Sequence, residues 1–171
     1  MQEFRVPGDA ELNTLVREVS ARLLARGWRM ATAESCTGGW IAKCCTDVVG
    51  SSAWFDRAYV VYSYRAKEQM LGVSHDDLLK YGAVSDEIAS QMATGAKEHS
   101  KVAVTVSATG IAGPGGGMPG KPVGLVHFGW CIDNQPVSCD AVVFEGDRNS
   151  VRQQTVLHAL EGVISRLTAL N

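Results

Sequence analysis

Leu12, Leu15, Val16, Val19 and Leu23 recur at three- and four-residue steps, the period of a helix with one buried stripe. Asp9 stands where it can cap that helix, and Gly27 falls just beyond its end. Residues 29–33 then read as a short buried strand, residues 35–39 (Ser-Cys-Thr-Gly-Gly) as a tight turn, and residues 40–46 as a helix opening from it. An apolar and aromatic run over 54–62 predicts a second buried strand, and residues 63–71 start another helix. Tyr62 and Lys67 thus lie around a strand-to-helix corner.

Ser74-His75-Asp76-Asp77 has a capping pattern before Leu78 and Leu79, and Ser85-Asp86-Glu87 opens a helix with Ile88, Met92 and Ala96 on one side. Residues 101–107 (KVAVTVS) are nearly all β-branched or apolar, as in a central strand covered on both faces. That strand leads into Thr109, Gly110 and a loop with glycines at 113, 115, 116, 117 and 120. Residues 123–132 and 137–144 read as antiparallel strands joined through Asp133-Asn134-Gln135-Pro136, and residues 147–170 as a closing helix.

Helices alternate with strands for most of the chain and a hairpin enters late. The expected architecture is a single-domain, three-layer α/β/α fold over residues 1–171, with a mixed, mostly parallel sheet. Ligands of such folds lie beyond the carboxyl ends of the strands, where Ser35 and Thr109 are expected.

Composition narrows the partners. With 16 basic and 18 acidic residues in 171, a net charge of −2 and no basic run, the chain lacks the footing for nucleic acid. No segment has signal-peptide character or bilayer-spanning length, so no membrane partner is expected and the location is read as cytoplasmic. The five cysteines (Cys36, Cys44, Cys45, Cys131, Cys139) contain no CxxC and read as reduced packing residues. The Trp54-Phe55 pair offers an apolar patch for self-contact, hence a homo-oligomer.

Several chemistries drop out on spacing. Residues 115–121 fit the GxxxxGK half of a phosphate-binding loop, but Pro122 replaces the metal-binding hydroxyl and a strand follows instead of a helix. The four histidines show no zinc spacing, and no metal or cofactor is expected. A serine activated by a lysine needs neither, provided the amine is neutral at working pH. From about 10.4 to near 7 is a shift worth roughly 4 kcal/mol of desolvation and neighbouring charge. On spacing alone Lys67 reads as a surface helix residue; at a buried corner it becomes a base.

The turn at 35–39 leaves amides and a helix dipole facing outward, so with the hydroxyls of Ser35 and Thr37 it reads as a receptor for phosphate or carboxylate. The same hydroxyls suit helix caps. Arg148 and Arg152 continue the stripe Val156, Leu160, Val163 and Leu167 toward the ligand end. An exposed arginine is the plain reading; an inward one needs an anion, and a substrate phosphate suits a planar guanidinium.

AESCTGGW, the GSSAWF segment, Tyr62-Ser63 with Lys67, GAVS at 82–85, SATGIAGP at 107–114 followed by KPVG, and GDR at 146–148 together resemble the carboxy-terminal domain of the CinA family. The resemblance runs in order from about Leu12 to Leu167. Stand-alone members of that family are nicotinamide-nucleotide amidases; the larger ones carry a further amino-terminal domain. The resemblance implies metal-independent hydrolysis of nicotinamide mononucleotide to nicotinate mononucleotide and ammonia, in pyridine nucleotide salvage.

Carried over by residue, it makes Ser52 the nucleophile, with Ser51 its competitor on spacing, and Lys67 the base with Tyr62 close by. Ser35, Thr37, Gly38, Thr109, Gly110 and Arg148 would bind the substrate. The alternative is a paralogue with little or no activity that binds a mononucleotide in the same pocket. One departure bears on that choice: relatives commonly read Tyr-Ser-Asn where this chain reads Tyr62-Ser63-Tyr64 and then Arg65, which adds bulk and charge beside the base.

Overall fold

In a computed structural model, which describes residues 5–170, the opening stripe forms α1 (Asp9–Arg26), with Leu12, Val16, Val19 and Leu23 buried. Its N-cap is Gly8, and Asp9 sits in the first turn, where an acid complements the helix dipole. Gly27 closes the other end in the left-handed conformation, at φ 64°. There follow β1 (Met30–Glu34), α2 (Trp40–Thr46), a 3₁₀ turn (Ser51–Ala53), β2 (Phe55–Val60), α3 (Tyr64–Leu71), α4 (His75–Tyr81) and α5 (Asp86–Ser100). β3 (Val104–Gly110), β4 (Leu125–Ile132), β5 (Ser138–Val143) and α6 (Arg148–Thr168) complete the order. Side chains of Ser63, Ser74, Ser85 and Asp147 accept amides at the starts of α3, α4, α5 and α6, which is why each helix begins where it does.

The strand order is β2-β1-β3-β4-β5. β1 runs parallel to β2 and β3, and β4 runs against β3 and β5, so β4 alone opposes the other strands of the expected mixed sheet. One face packs on α1, α2 and α6 through a core that includes Val104, Val106 and Ala108. The other carries α3, α4 and α5 around Ala33, Val61, Leu71, Ile88 and Met92.

β3 is the central strand its composition predicts, with hydroxyls on alternate positions. Thr105 donates to the Ala93 carbonyl at 2.8 Å, Ser107 to Ala89 at 2.6 Å and Thr109 to Ala83 at 2.8 Å. These bonds tie the strand to α5 and its approach, and they satisfy polar groups that burial would otherwise penalise.

Two expectations about residues 54–62 fail. β2 is an edge strand, paired only with β1, and Asp56, Arg57 and Val60 are exposed along it. Trp54 is no surface patch: it is 1% exposed and packs in the core with Ile41, Cys44, Cys45 and Val48, while Phe55 lies partly buried against the same core. Among the described residues no helix is long and apolar enough to cross a membrane.

Candidate active site

Lys67 lies on the inner face of α3 with Leu71 and is 1% exposed. Its Nζ is 3.0 Å from Ser35 Oγ, 2.8 Å from the Val61 carbonyl and 3.5 Å from the Tyr62 carbonyl. No acid faces it. Burial therefore acts nearly unopposed and lowers its pKa from 10.5 to about 8, with the Cys36 thiol a minor influence in the other direction. As a neutral amine, Lys67 can give its two hydrogens to the two carbonyls and turn its lone pair to the Ser35 hydroxyl.

Ser35 sits in the turn between β1 and α2, and its amide donates to the Ala108 carbonyl of β3 at 3.0 Å. The preceding residue shapes that turn. Glu34 is 0% exposed, and its carboxylate accepts from Thr32 Oγ1 at 2.9 Å, Thr37 Oγ1 at 2.8 Å, the Ile41 amide at 2.9 Å and the Ala42 amide at 3.0 Å. The anion receptor read from residues 35–39 is thus filled by the chain's own carboxylate. A buried acid next to two threonines and a glycine turn, with no cation near it in sequence, is the signal that could have revealed this.

The hydroxyl and the amine open into a cavity of about 290 Å³ lined by Ser35, Cys36, Tyr62, Lys67, Ala83, Val84, residues 109–113, Gly115, Gly116 and Arg148. Burial pushes the Cys36 thiol up to about 12, so it stays protonated and does not compete as a nucleophile. At the rim, the exposed Arg148 donates to the Gly113 carbonyl at 2.9 Å and to the Tyr62 hydroxyl at 3.2 Å. Gly110 has no room for a side chain: a Cβ there would meet Val126 Cγ2 at 2.6 Å and the Leu125 carbonyl at 2.7 Å.

Ser52, the nucleophile that the resemblance implies, lies apart from this group. It is exposed, it precedes β2, and its carbonyl accepts from Arg29 at 3.0 Å. Lys67 is reached only after β2 ends, and a six-residue strand spans about 20 Å. Ser51 shares the far end, in the same 3₁₀ turn. Thr37 and Gly38 are also displaced: Thr37 is fully buried on Glu34, and both line a separate groove of about 480 Å³ with Trp40, Lys43 and Arg152. Thr109 lines the cavity, although its hydrogen is given to Ala83.

The unusual Tyr64 and Arg65 do not crowd the amine. Tyr64 accepts the Ala83 amide at 3.2 Å and lines a neighbouring groove with Leu79 and Met118, and Arg65 is exposed.

Residues 12–167 match the family model of the CinA C-terminal domain. The Escherichia coli (strain K12) protein named nicotinamide-nucleotide amidohydrolase PncC is 46% identical over 153 residues, which are 90% of this chain and 93% of that protein. The Pseudomonas putida protein of the same name is 43% identical over 153 residues, 90% of this chain and 95% of its own. The crystal structure of competence/damage inducible protein CihA from Agrobacterium tumefaciens has a TM-score of 0.89 and 43% identity, covering 98% of this chain and 99% of that one. With the family model matched over residues 12–167 and a 46% identical relative covering 90% of the chain, the chain belongs to the CinA C-terminal domain family.

Proposed function

We propose that this chain, acting as one amidase unit over residues 1–171, hydrolyses the carboxamide of nicotinamide mononucleotide to nicotinate mononucleotide and ammonia, a step of pyridine nucleotide salvage. Ser35 is the nucleophile and Lys67 its base. The observation that carries this reading is the 3.0 Å contact between the buried Lys67 amine and the Ser35 hydroxyl, in a cavity that no acid lines among the described residues. Relatives with nearly the same length bear the name of that activity.

Neutral Lys67 takes the Ser35 proton as Oγ attacks the carboxamide carbon, and the carbonyl electrons move onto oxygen. The amides of Cys36 and Thr37 follow Ser35 in the turn, while Gly38 and Trp40 close it, and these two amides are the proposed donors to the developing oxyanion. Collapse expels the amide nitrogen, which leaves as ammonia with the proton held by Lys67. Water, deprotonated by the same amine, then attacks the acyl-Ser35 ester and releases the carboxylate. Arg148 keeps donors beyond those given to Gly113 and Tyr62, and no carboxylate pairs with it among the described residues, which suits a phosphate at the rim.

Ammonia release measured on nicotinamide mononucleotide, free nicotinamide and the dinucleotide tests the reaction and its specificity together. Turnover of the mononucleotide that survives a chelator is expected. Thermal stabilisation by the mononucleotide without ammonia would replace the enzyme by a binding module.

A further inference from the structure

Resting on the Ser35–Lys67 reading, we infer that Glu34 and Arg152 are positioning residues that clamp the turn carrying Ser35 and thereby set the reach of its hydroxyl to Lys67. Neither side chain lines the 290 Å³ cavity. Together they satisfy the turn from two kinds of atom. Glu34 collects donors, namely the Thr32 and Thr37 hydroxyls and the first amides of α2. Arg152 reaches over from α6 and serves acceptors: its Nε donates to the Cys36 carbonyl at 3.0 Å and its Nη2 to the Thr37 carbonyl at 3.1 Å. Its guanidinium lies 5.1 Å from the Trp40 ring centre, which fixes the approach.

The chemistry of the partners explains why these residue types are needed. Each Glu34 oxygen accepts one hydroxyl and one backbone amide. Glutamine has the same shape, but its NH₂ would point hydrogens at a backbone N–H on whichever side it takes, and that amide cannot reverse. The helix α2 would then have to shift, and Ser35 with it. The planar fork of Arg152 serves two successive carbonyls, which a lysine cannot imitate. Glu34 holds the nucleophile from outside the base's own contacts, which are to Ser35 Oγ and the Val61 and Tyr62 carbonyls.

The test compares E34Q, T37V, T37S and R152K with wild type for ammonia release from nicotinamide mononucleotide over pH, alongside labelling of Ser35 by a fluorophosphonate. E34Q should lower kcat about 10²-fold, the scale of a misplacement near 1 Å, with KM within about threefold. T37V removes one of the four bonds and leaves the helix amides in place, so about a tenfold loss is expected, regained in T37S. R152K should fall between them. The acid limb of the pH profile, which belongs to Lys67, should keep its midpoint in every variant.

Wild-type kcat in both E34Q and T37V would overturn the clamp. So would losses that vanish at low temperature, where every variant is folded, because those would report stability alone. Wild-type protein that releases no ammonia and does not label at Ser35 would instead remove the proposed activity, and the clamp with it.

Discussion

The Lys67 amine stands 3.0 Å from the Ser35 hydroxyl across the corner between two parallel strands, β1 and β2, and among the described residues no carboxylate pairs with it. A lysine so placed is more acidic than usual because its charge has lost water and gained only carbonyls. At about 8, roughly a tenth of the amine is neutral at pH 7, against about one part in three thousand for a lysine at 10.5. The value of kcat/KM should therefore climb with pH, pass half its maximum close to 8 and level off about one unit above. A limb near 10 would mean that burial does not tune the amine, and one at 4 to 5 would point to a carboxylate base.

Ser35 and Ser52 can be separated by single substitutions. Ser35→Ala removes the hydroxyl that the amine touches, and a loss of about 10³-fold or more in kcat is expected, as for other nucleophile deletions. Ser52→Ala changes an exposed side chain at the far end of β2 and should stay within about twofold. A reversed pattern, with Ser52→Ala dead and Ser35→Ala active, would contradict the assignment outright.

The two serines also show where sequence reading stopped. Strand and helix periods, the caps at Ser74 and Ser85, and the buried run of β3 follow from local chemistry, which the sequence carries directly. Arg148 is legible because an arginine on an apolar stripe demands a partner, whereas Lys67 reads as a surface residue on spacing alone and takes its role from the family resemblance. Ser52 is singled out by resemblance alone, and which end of β2 it occupies depends on strand direction and length, which local patterns do not carry. The role of Glu34 depends on its burial, which the packing around β1 sets, and only burial turns an ordinary acid into an acceptor for hydroxyls and helix amides. Trp54 read as a patch because its burial comes from α2 and the segment behind it.

Arg148 and Tyr62 provide a test of how the nucleotide is held. Their mutual bond of 3.2 Å leaves Tyr62 63% exposed, so the phenol orients the guanidinium more than it contacts the reacting atoms. Arg148→Ala should raise KM for nicotinamide mononucleotide about 10- to 100-fold, the range of a charge-assisted hydrogen bond, with kcat little changed. Tyr62→Phe should cost about threefold or less. Any slow turnover of free nicotinamide, which has no phosphate, should be indifferent to both. An equal loss on the two substrates would assign Arg148 to the chemistry instead of the phosphate.

Lys67→Met separates the energetic cost of the base from its use. In the unfolded chain the amine titrates at its ordinary value near 10.5, and in the folded protein burial brings it to about 8. Between those values the unfolded state holds the extra proton, so wild-type stability rises with pH across that window, by at most roughly 3 kcal/mol at 1.36 kcal/mol per pH unit. Below pH 8 both states carry the charge and the folded one bears the penalty of burying it. Methionine fills similar space without a charge, so the variant should be inactive, should lack that rise, and should compare best with wild type at neutral pH. Denaturant unfolding of both proteins at pH 7, 8, 9 and 10 measures the difference. Parallel curves across that range would show that the folded protein leaves the amine at its ordinary value, and a buried neutral base would have to be given up.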